Sequence, residues 1–202
     1  MKIFHDSAPC LLHLLLLAEL FALSSARPAH RSSLCHMFRS MIHQVDKLMT
    51  SSKQLHGLTD VELSNFEGVE NNLDDLPHII VTAEHLTTLK VNESLSQLLN
   101  YTESFKLHVD WLKTAKENLS MSSHSAGGTS THLLQLSKLI RSSLEQIGEE
   151  VPPSPSASLP VVSSAFEALQ FSVEISERLQ VFGHWSKRVL RLLTTQSRCP
   201  RH

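Results

Sequence analysis

Residues 71–115 read NNLDDLPHIIVTAEHLTTLKVNESLSQLLNYTESFKLHVDWLKTA and join an acidic loop, closed by a proline, to a long amphipathic segment. In that segment, apolar side chains recur at helical spacing at Leu95, Leu98, Phe105, Val109 and Leu112. This period is typical of an α-helix that buries one face. The stretch therefore predicts a helical domain in which a long loop leads into a long helix.

Three other segments show the same period, at residues 34–55, 133–147 and 168–193. Ser164 precedes the last of them, and Glu167 follows three residues later in a capping-box pattern. No stretch alternates apolar and polar residues for long enough to predict a strand. The chain is therefore predicted to be all-α, with four long helices.

The links between these helices predict their order in space. The first link, at residues 57–82, and the third, at residues 148–163, are long, whereas the second, at residues 120–130, is short and rich in Ser and Gly. Two long crossover loops around one short link are what an up-up-down-down bundle needs. We predict a long-chain four-helix bundle of this topology, in which the first and last helices are antiparallel.

The N-terminus is typical of a secretory leader. An apolar run at residues 11–23 is followed by the small residues Ser24, Ser25 and Ala26. The run is shorter than the ~20 residues that a membrane span needs. We predict a signal peptide at residues 1–26 and a single four-helix domain at residues 27–202, in a secreted, extracellular protein without membrane insertion.

Removal of the leader leaves two cysteines, Cys35 and Cys199, at opposite ends of the chain. Antiparallel first and last helices would bring them to the same end of the bundle. We expect them to form a disulfide, with free or intermolecular thiols as the alternative.

Three sequons are candidate glycosylation sites, at Asn92, Asn100 and Asn118. Trp111 falls on the same side of its helix as Asn100 and Asn118. Because a glycosylated face should not also bury a tryptophan, either a crossover loop covers Trp111 or one of these sequons is silent.

Several functional classes find no support in the sequence. The chain has 18 Lys and Arg against 20 Asp and Glu, without the basic excess of a nucleic-acid-binding protein. The thirteen histidines show no metal-binding spacing, and the chain has no nucleophile-elbow, phosphate-loop or Cys-x-x-Cys motif. We therefore expect no enzymatic activity, no metal, no cofactor and no nucleic-acid partner.

On a helical wheel of the last helix, Trp185 lies away from the core stripe, beside Val181, Arg188 and Leu192. Trp and Arg often dominate binding interfaces. The alternative is that Trp185 is a boundary residue covered by the first long loop, with Arg188 favoured by the helix dipole.

Two further groups lie away from the predicted core. Phe166 starts the last helix near Leu169, and such an apolar patch suggests a partner, although a hydrophobic staple or a covering loop would also explain it. Leu134, Lys138 and Arg141 share the non-core face of the third helix, for which a solvated face is the simpler interpretation.

Four stretches, taken in order, resemble the interleukin-11 cytokines of the interleukin-6 family. They are NLDDLP at residues 72–77, HVDWL at residues 108–112, the Ser-Ser-Ala-aromatic start of the last helix at residues 163–166, and Trp-x-x-Arg at residues 185–188. The resemblance covers most of the chain after the leader and is weakest in the first and third helices.

The resemblance implies a secreted cytokine, monomeric before it binds receptors, that activates JAK/STAT signalling by clustering them. The end of the last helix, with Trp185 and Arg188, would bind an interleukin-11-type α-receptor. A surface on the first and third helices would recruit the shared signal-transducing receptor subunit, and the start of the last helix would contact a second copy of it. Candidates for these two surfaces are the Leu134 and Phe166 groups described above.

Some residues depart from the mammalian pattern of that family. Phe166 stands where a tryptophan is usual, and His184 stands where the mammalian pattern has an aspartate. The cysteine pair and the sequons are also absent from the mammalian pattern, which indicates a non-mammalian vertebrate form. The competing hypothesis is a secreted helical carrier of a small apolar ligand, which needs a cavity inside the bundle but neither Trp185 nor Phe166.

Overall fold

The computed structural model describes residues 33–66, 73–80 and 90–200, which contain helices and no strand. The predicted signal peptide lies outside these residues. The four long helices are α1 at residues 33–52, α3 at Val91–Asn118, α4 at His124–Gln146 and α5 at Ala165–Gln196. Two short helices lie in the first crossover: α2 at Asp60–Leu63 and a 3₁₀ turn at Ser64–Phe66.

Contacts between helix ends give the topology. The Lys116 ammonium, near the end of α3, donates to the Leu55 carbonyl just beyond the end of α1, so α1 and α3 run in parallel. Ser176, in the first half of α5, donates to the Ser52 carbonyl at the end of α1, so α5 runs antiparallel to α1. A short link reverses the chain between α3 and α4. The predicted up-up-down-down bundle is confirmed.

The helical stripes predicted from the sequence form the core. Phe38, Val109, Ile140 and Ile175, one from each long helix, are fully buried. Burial of the core side chains as a whole is the main favourable term for folding, at about 1.5–3 kcal/mol for each large apolar side chain.

Helix α4 begins earlier than the sequence predicted. The Ser/Gly-rich residues 124–130 were expected to be a loop, yet they form the first turns of α4. Ala126 and Thr129 are fully buried there, and the Thr129 hydroxyl lies 2.8 Å from that of Ser51 on α1. Packing against α1 therefore outweighs the low helix propensity of Gly127 and Gly128.

The third link, which is the second long crossover and which we call the strap (residues 148–163), crosses the outer side of α3. The Ser154 hydroxyl donates to Glu103, and the Trp111 indole donates to the Pro160 carbonyl at 3.1 Å. The Trp111 ring also packs edge-on against Phe171. The crossover loop therefore covers Trp111, which was one of the two alternatives drawn from the sequence.

Candidate functional site

The two ends of the described chain are joined at one end of the bundle. Cys35 and Cys199 form a disulfide with their Cα atoms 5.6 Å apart. The Arg39 guanidinium on α1 also donates to the Pro200 carbonyl. These contacts fix the C-terminal end of α5, where the sequence analysis placed the first candidate surface.

Trp185 does not lie on that surface. Its side chain is only 2% exposed and packs edge-on against Tyr101 of α3, with ring centroids 5.3 Å apart. A second aromatic contact joins it to Phe182. The expectation that Trp185 is an exposed binding residue is therefore wrong, because the buried side of α5 is wider than the single stripe used to place it.

The other residues of the group are accessible. Val181 is 46% exposed, Arg188 is exposed and Leu192 is half-buried. His184 is exposed beside them. We call these four residues the α5 stripe, and they present a mixed apolar and basic strip toward solvent.

The second candidate surface is at the start of α5. Phe166 is 60% exposed, while Leu169 is half-buried. The Phe166 ring stacks on that of Phe66 from the first crossover, at a centroid distance of 5.9 Å. The strap therefore does not cover Phe166. Phe66 could not be predicted as part of this surface, because no helical period marks it.

The local sequence positions Phe166 by capping α5. The Glu167 amide donates to the Ser164 hydroxyl at 3.2 Å, and the Glu167 carboxylate accepts from the Ser163 amide at 2.8 Å. The backbone and hydroxyl hydrogen bonds from Ser163 lower the pKa of Glu167. These bonds satisfy amides that the first turn of a helix leaves open, so the helix start and its exposed ring are well defined.

The third group lies between α3 and α4. Leu134, which is 40% exposed, Lys138 and Arg141 line an open cleft of about 420 Å³ together with Leu107 of α3. The Arg141 guanidinium binds the Glu103 carboxylate on α3, with an Nε–Oε1 distance of 2.9 Å. The predicted surface on α4 therefore borders α3, and the Arg141 guanidinium is partly engaged in a structural ion pair.

The surface that α1 and α4 do share is an open groove on another side of α4. Its lining includes His43, Asp46, Lys47 and His132. The Gln44 amide nitrogen lies 2.7 Å from His132 Nδ1 and holds the two helices together at this point. The groove could not be predicted from the sequence, because a helical wheel of one helix does not show which neighbouring helix lies on each side.

The acidic motif of the first crossover is anchored to α5. Leu73 and Leu76 are buried, and the Arg178 guanidinium donates to the Leu76 carbonyl at 2.8 Å. Arg178 also forms an ion pair with Glu174 at 2.9 Å. The Asp75 carboxylate accepts from the Ser158 amide of the strap. The two crossovers therefore hold each other in place.

The sequons differ in their surroundings. Asn92 is half-buried, whereas Asn100 and Asn118 are exposed.

Within the residues described, no cluster of three His, Cys, Asp or Glu side chains has the arrangement of a metal site. None of the described helices is long and apolar enough to cross a membrane.

The carrier hypothesis requires an enclosed cavity in the bundle. The α3–α4 cleft and the α1–α4 groove are both open to solvent. Where α3 meets α5, the interior is filled by Phe105, Phe182 and Trp185, with 5.1 Å between the centroids of the first two rings. These observations do not favour a carrier.

An up-up-down-down bundle with long helices and two long crossovers is the architecture of the helical cytokines. The bundle described here has that architecture, and its exposed apolar side chains lie in separate places on the surface. The family model described as Interleukin 11 matches residues 28–199, which is most of the chain. The chain therefore belongs to the interleukin-11 family, within the interleukin-6 group of cytokines. A comparison with curated proteins finds no match.

Proposed function

We propose that this chain is a secreted cytokine that binds an interleukin-11-type α-receptor and the shared signal-transducing receptor of the interleukin-6 family. Clustering of these receptors would activate JAK/STAT signalling. The observation that carries the proposal is the family match over residues 28–199. The proposed activity is binding alone and involves neither catalysis nor a cofactor.

We assign the α-receptor contact to the α5 stripe. Val181 and Leu192 supply apolar area and Arg188 a guanidinium, a combination common in interface hot spots. The contact would favour an acidic receptor patch, because exposed Arg191 and Arg198 add positive charge nearby. Trp185 would support this surface from beneath rather than touch the receptor.

We assign the signalling receptor to two other places. The α1–α4 groove, with His43 and Lys47, would form one contact, in place of the α3–α4 cleft that Leu134, Lys138 and Arg141 line. The stacked pair of Phe66 and Phe166 would form the contact with a second receptor copy, since exposed aromatic rings bury large apolar areas on binding.

The α5 assignment is tested by surface plasmon resonance on the α-receptor ectodomain. Arg188→Ala should weaken binding by about 2 kcal/mol, the size expected for a hot-spot arginine. Lys138→Ala is the matched control, because it removes an exposed positive charge far from the α5 stripe. Equal affinity of the two folded variants would show that the α-receptor binds elsewhere.

A further inference from the structure

The three sequons have different environments in the folded chain. The Asn92 side-chain amide donates to the Glu149 carboxylate at the start of the strap, at 3.1 Å. Asn100 and Asn118 are exposed, and neither side chain makes a hydrogen bond to any residue that the structure describes. A sugar on Asn92 would break an existing contact between α3 and the strap, whereas sugars on the other two would not.

The two exposed asparagines lie on one line along α3. They are 18 positions apart, which is about five helical turns, or ~27 Å. Both side chains therefore project from the same outer face of α3, Asn100 in the first half of the helix and Asn118 at its C-terminal end.

The strap crosses this face between them. Ser154 binds Glu103 one turn after Asn100, and Pro160 binds Trp111 two turns before Asn118. The strap is rich in proline and serine and is attached through a few hydrogen bonds. Exposed loops of such composition are preferred sites of proteolysis.

We propose that Asn100 and Asn118 carry N-linked glycans, that Asn92 does not, and that the two glycans flank the strap on a face of the bundle that no receptor contacts. This rests on the proposed function, because N-glycosylation requires passage through the secretory pathway. A glycan on Asn100 also sits beside Glu103, which lines the α3–α4 cleft. The signalling receptor would then use the α1–α4 groove rather than that cleft.

Glycan occupancy is measured on the full chain secreted from cultured vertebrate cells. The protein is deglycosylated with peptide-N-glycosidase in ¹⁸O-labelled water, which converts each glycosylated asparagine into a labelled aspartate that mass spectrometry detects. We expect the label at Asn100 and Asn118 and an unmodified Asn92. An occupied Asn92, or an empty site at either of the other two, would overturn the proposal.

Measurements of receptor binding then test whether any receptor contacts the glycosylated face of α3. Asn100→Gln combined with Asn118→Gln should bind both receptor ectodomains with unchanged affinity. The control is Thr195→Asn, which completes a new sequon with Gln196 and Ser197 at an exposed position of α5, 14 residues beyond Val181. Its glycan should weaken α-receptor binding about tenfold or more, equal to about 1.4 kcal/mol, and enzymatic removal of the sugar should restore it.

The glycan assignment and the proposed receptor-binding function would be refuted by different results. A changed receptor affinity in the double glutamine variant would show that the α3 face is part of a contact. Wild-type protein that carries both glycans but binds neither receptor would refute the proposed function and leave the assigned glycan positions standing.

Discussion

Two aromatic residues of α5, Trp185 and Phe166, lie in different environments. The structure buries Trp185 and leaves Phe166 60% exposed. A helical wheel assumes one buried face, but residues 171–176 of α5 are buried in succession, because α1, α3 and the anchored first crossover surround the helix. The sequence marks both residues as candidates for binding because they are aromatic. Tertiary packing determines that Trp185 belongs to the core and Phe166 to the surface.

Trp185→Ala should therefore act on stability. We expect it to lower the free energy of unfolding by about 3–5 kcal/mol, the usual cost of truncating a buried aromatic residue. Phe166→Ala should cost about 1 kcal/mol or less, since it loses one partly exposed ring contact. Urea unfolding followed by circular dichroism measures both, and similar losses in the two variants would contradict the burial seen here.

His108 gives the fold a dependence on pH. Its Nδ1 lies 2.8 Å from the Ser104 carbonyl, and its Nε2 has no hydrogen-bond partner among the described residues. Burial lowers the pKa of His108 and outweighs the opposing effects of the Ser104 bond and of nearby Asp75 and Glu174. The folded protein therefore favours the neutral imidazole.

The unfolded chain takes up this proton first as the pH falls below about 6.5, so stability is complete above that pH and declines below it. His56 and His132, whose pKa values burial also lowers, act in the same direction. We expect His108→Gln to reduce, without abolishing, the fall in melting temperature between about pH 7 and about pH 5. An unchanged slope would mean that His108 is not buried as a neutral group.

At the scale of the elements, α3 and α5 were the most predictable, because their apolar periods are long and the Ser164–Glu167 cap marks where α5 begins. Helix α2 was missed, although Thr59 and Glu62 form a capping box that the sequence displays. The Thr59 amide donates to the Glu62 carboxylate at 2.8 Å, and the Glu62 amide donates to the Thr59 hydroxyl at 3.4 Å. The early start of α4 was not predictable from local sequence, since packing against α1 determines it.

Two glycines inside helices provide a matched pair. A Cβ added at Gly183 on α5 would lie 2.4 Å from Met49 Cγ on α1, whereas at Gly127 on α4 the nearest atom is a lysine Cε at 3.9 Å. We expect Gly183→Ala to destabilise the protein by about 1–3 kcal/mol through overpacking. Gly127→Ala should stabilise it by about 0.5–1 kcal/mol through helix propensity. Thermal unfolding of both variants tests the close approach of α1 and α5, which a gain in stability for Gly183→Ala would contradict.

At the scale of the whole molecule, the sequence predicted the number of long helices, which of the links are long, and hence the topology. It did not predict which helices line each groove, or that Leu134, Lys138 and Arg141 border α3. It also could not show that Arg178 donates a hydrogen bond to the first crossover, or that Asp75 of that crossover accepts one from the strap. Those contacts join segments far apart in the chain, and no local pattern encodes them.

The disulfide closes a loop that contains nearly the whole bundle, since Cys35 and Cys199 are 164 positions apart in the sequence. In the loop-entropy model, so long a loop contributes about 4–5 kcal/mol by restricting the unfolded chain. We expect Cys35→Ser with Cys199→Ser to lower the free energy of unfolding by up to about that amount while the helix content is kept. Wild-type protein under reducing conditions is the control and should match the variant. Equal stability of the oxidised and reduced protein would show that the bond contributes nothing.

The most direct test of the cytokine function is the mass of the complex formed with both receptor ectodomains, measured by light scattering during size-exclusion chromatography. We expect the wild-type protein to assemble more than one copy of the signalling receptor. Phe166→Ala should still bind the α-receptor but stop at an assembly with a single signalling receptor. A wild-type complex that never exceeds one signalling receptor, or that does not form, would contradict signalling by receptor clustering.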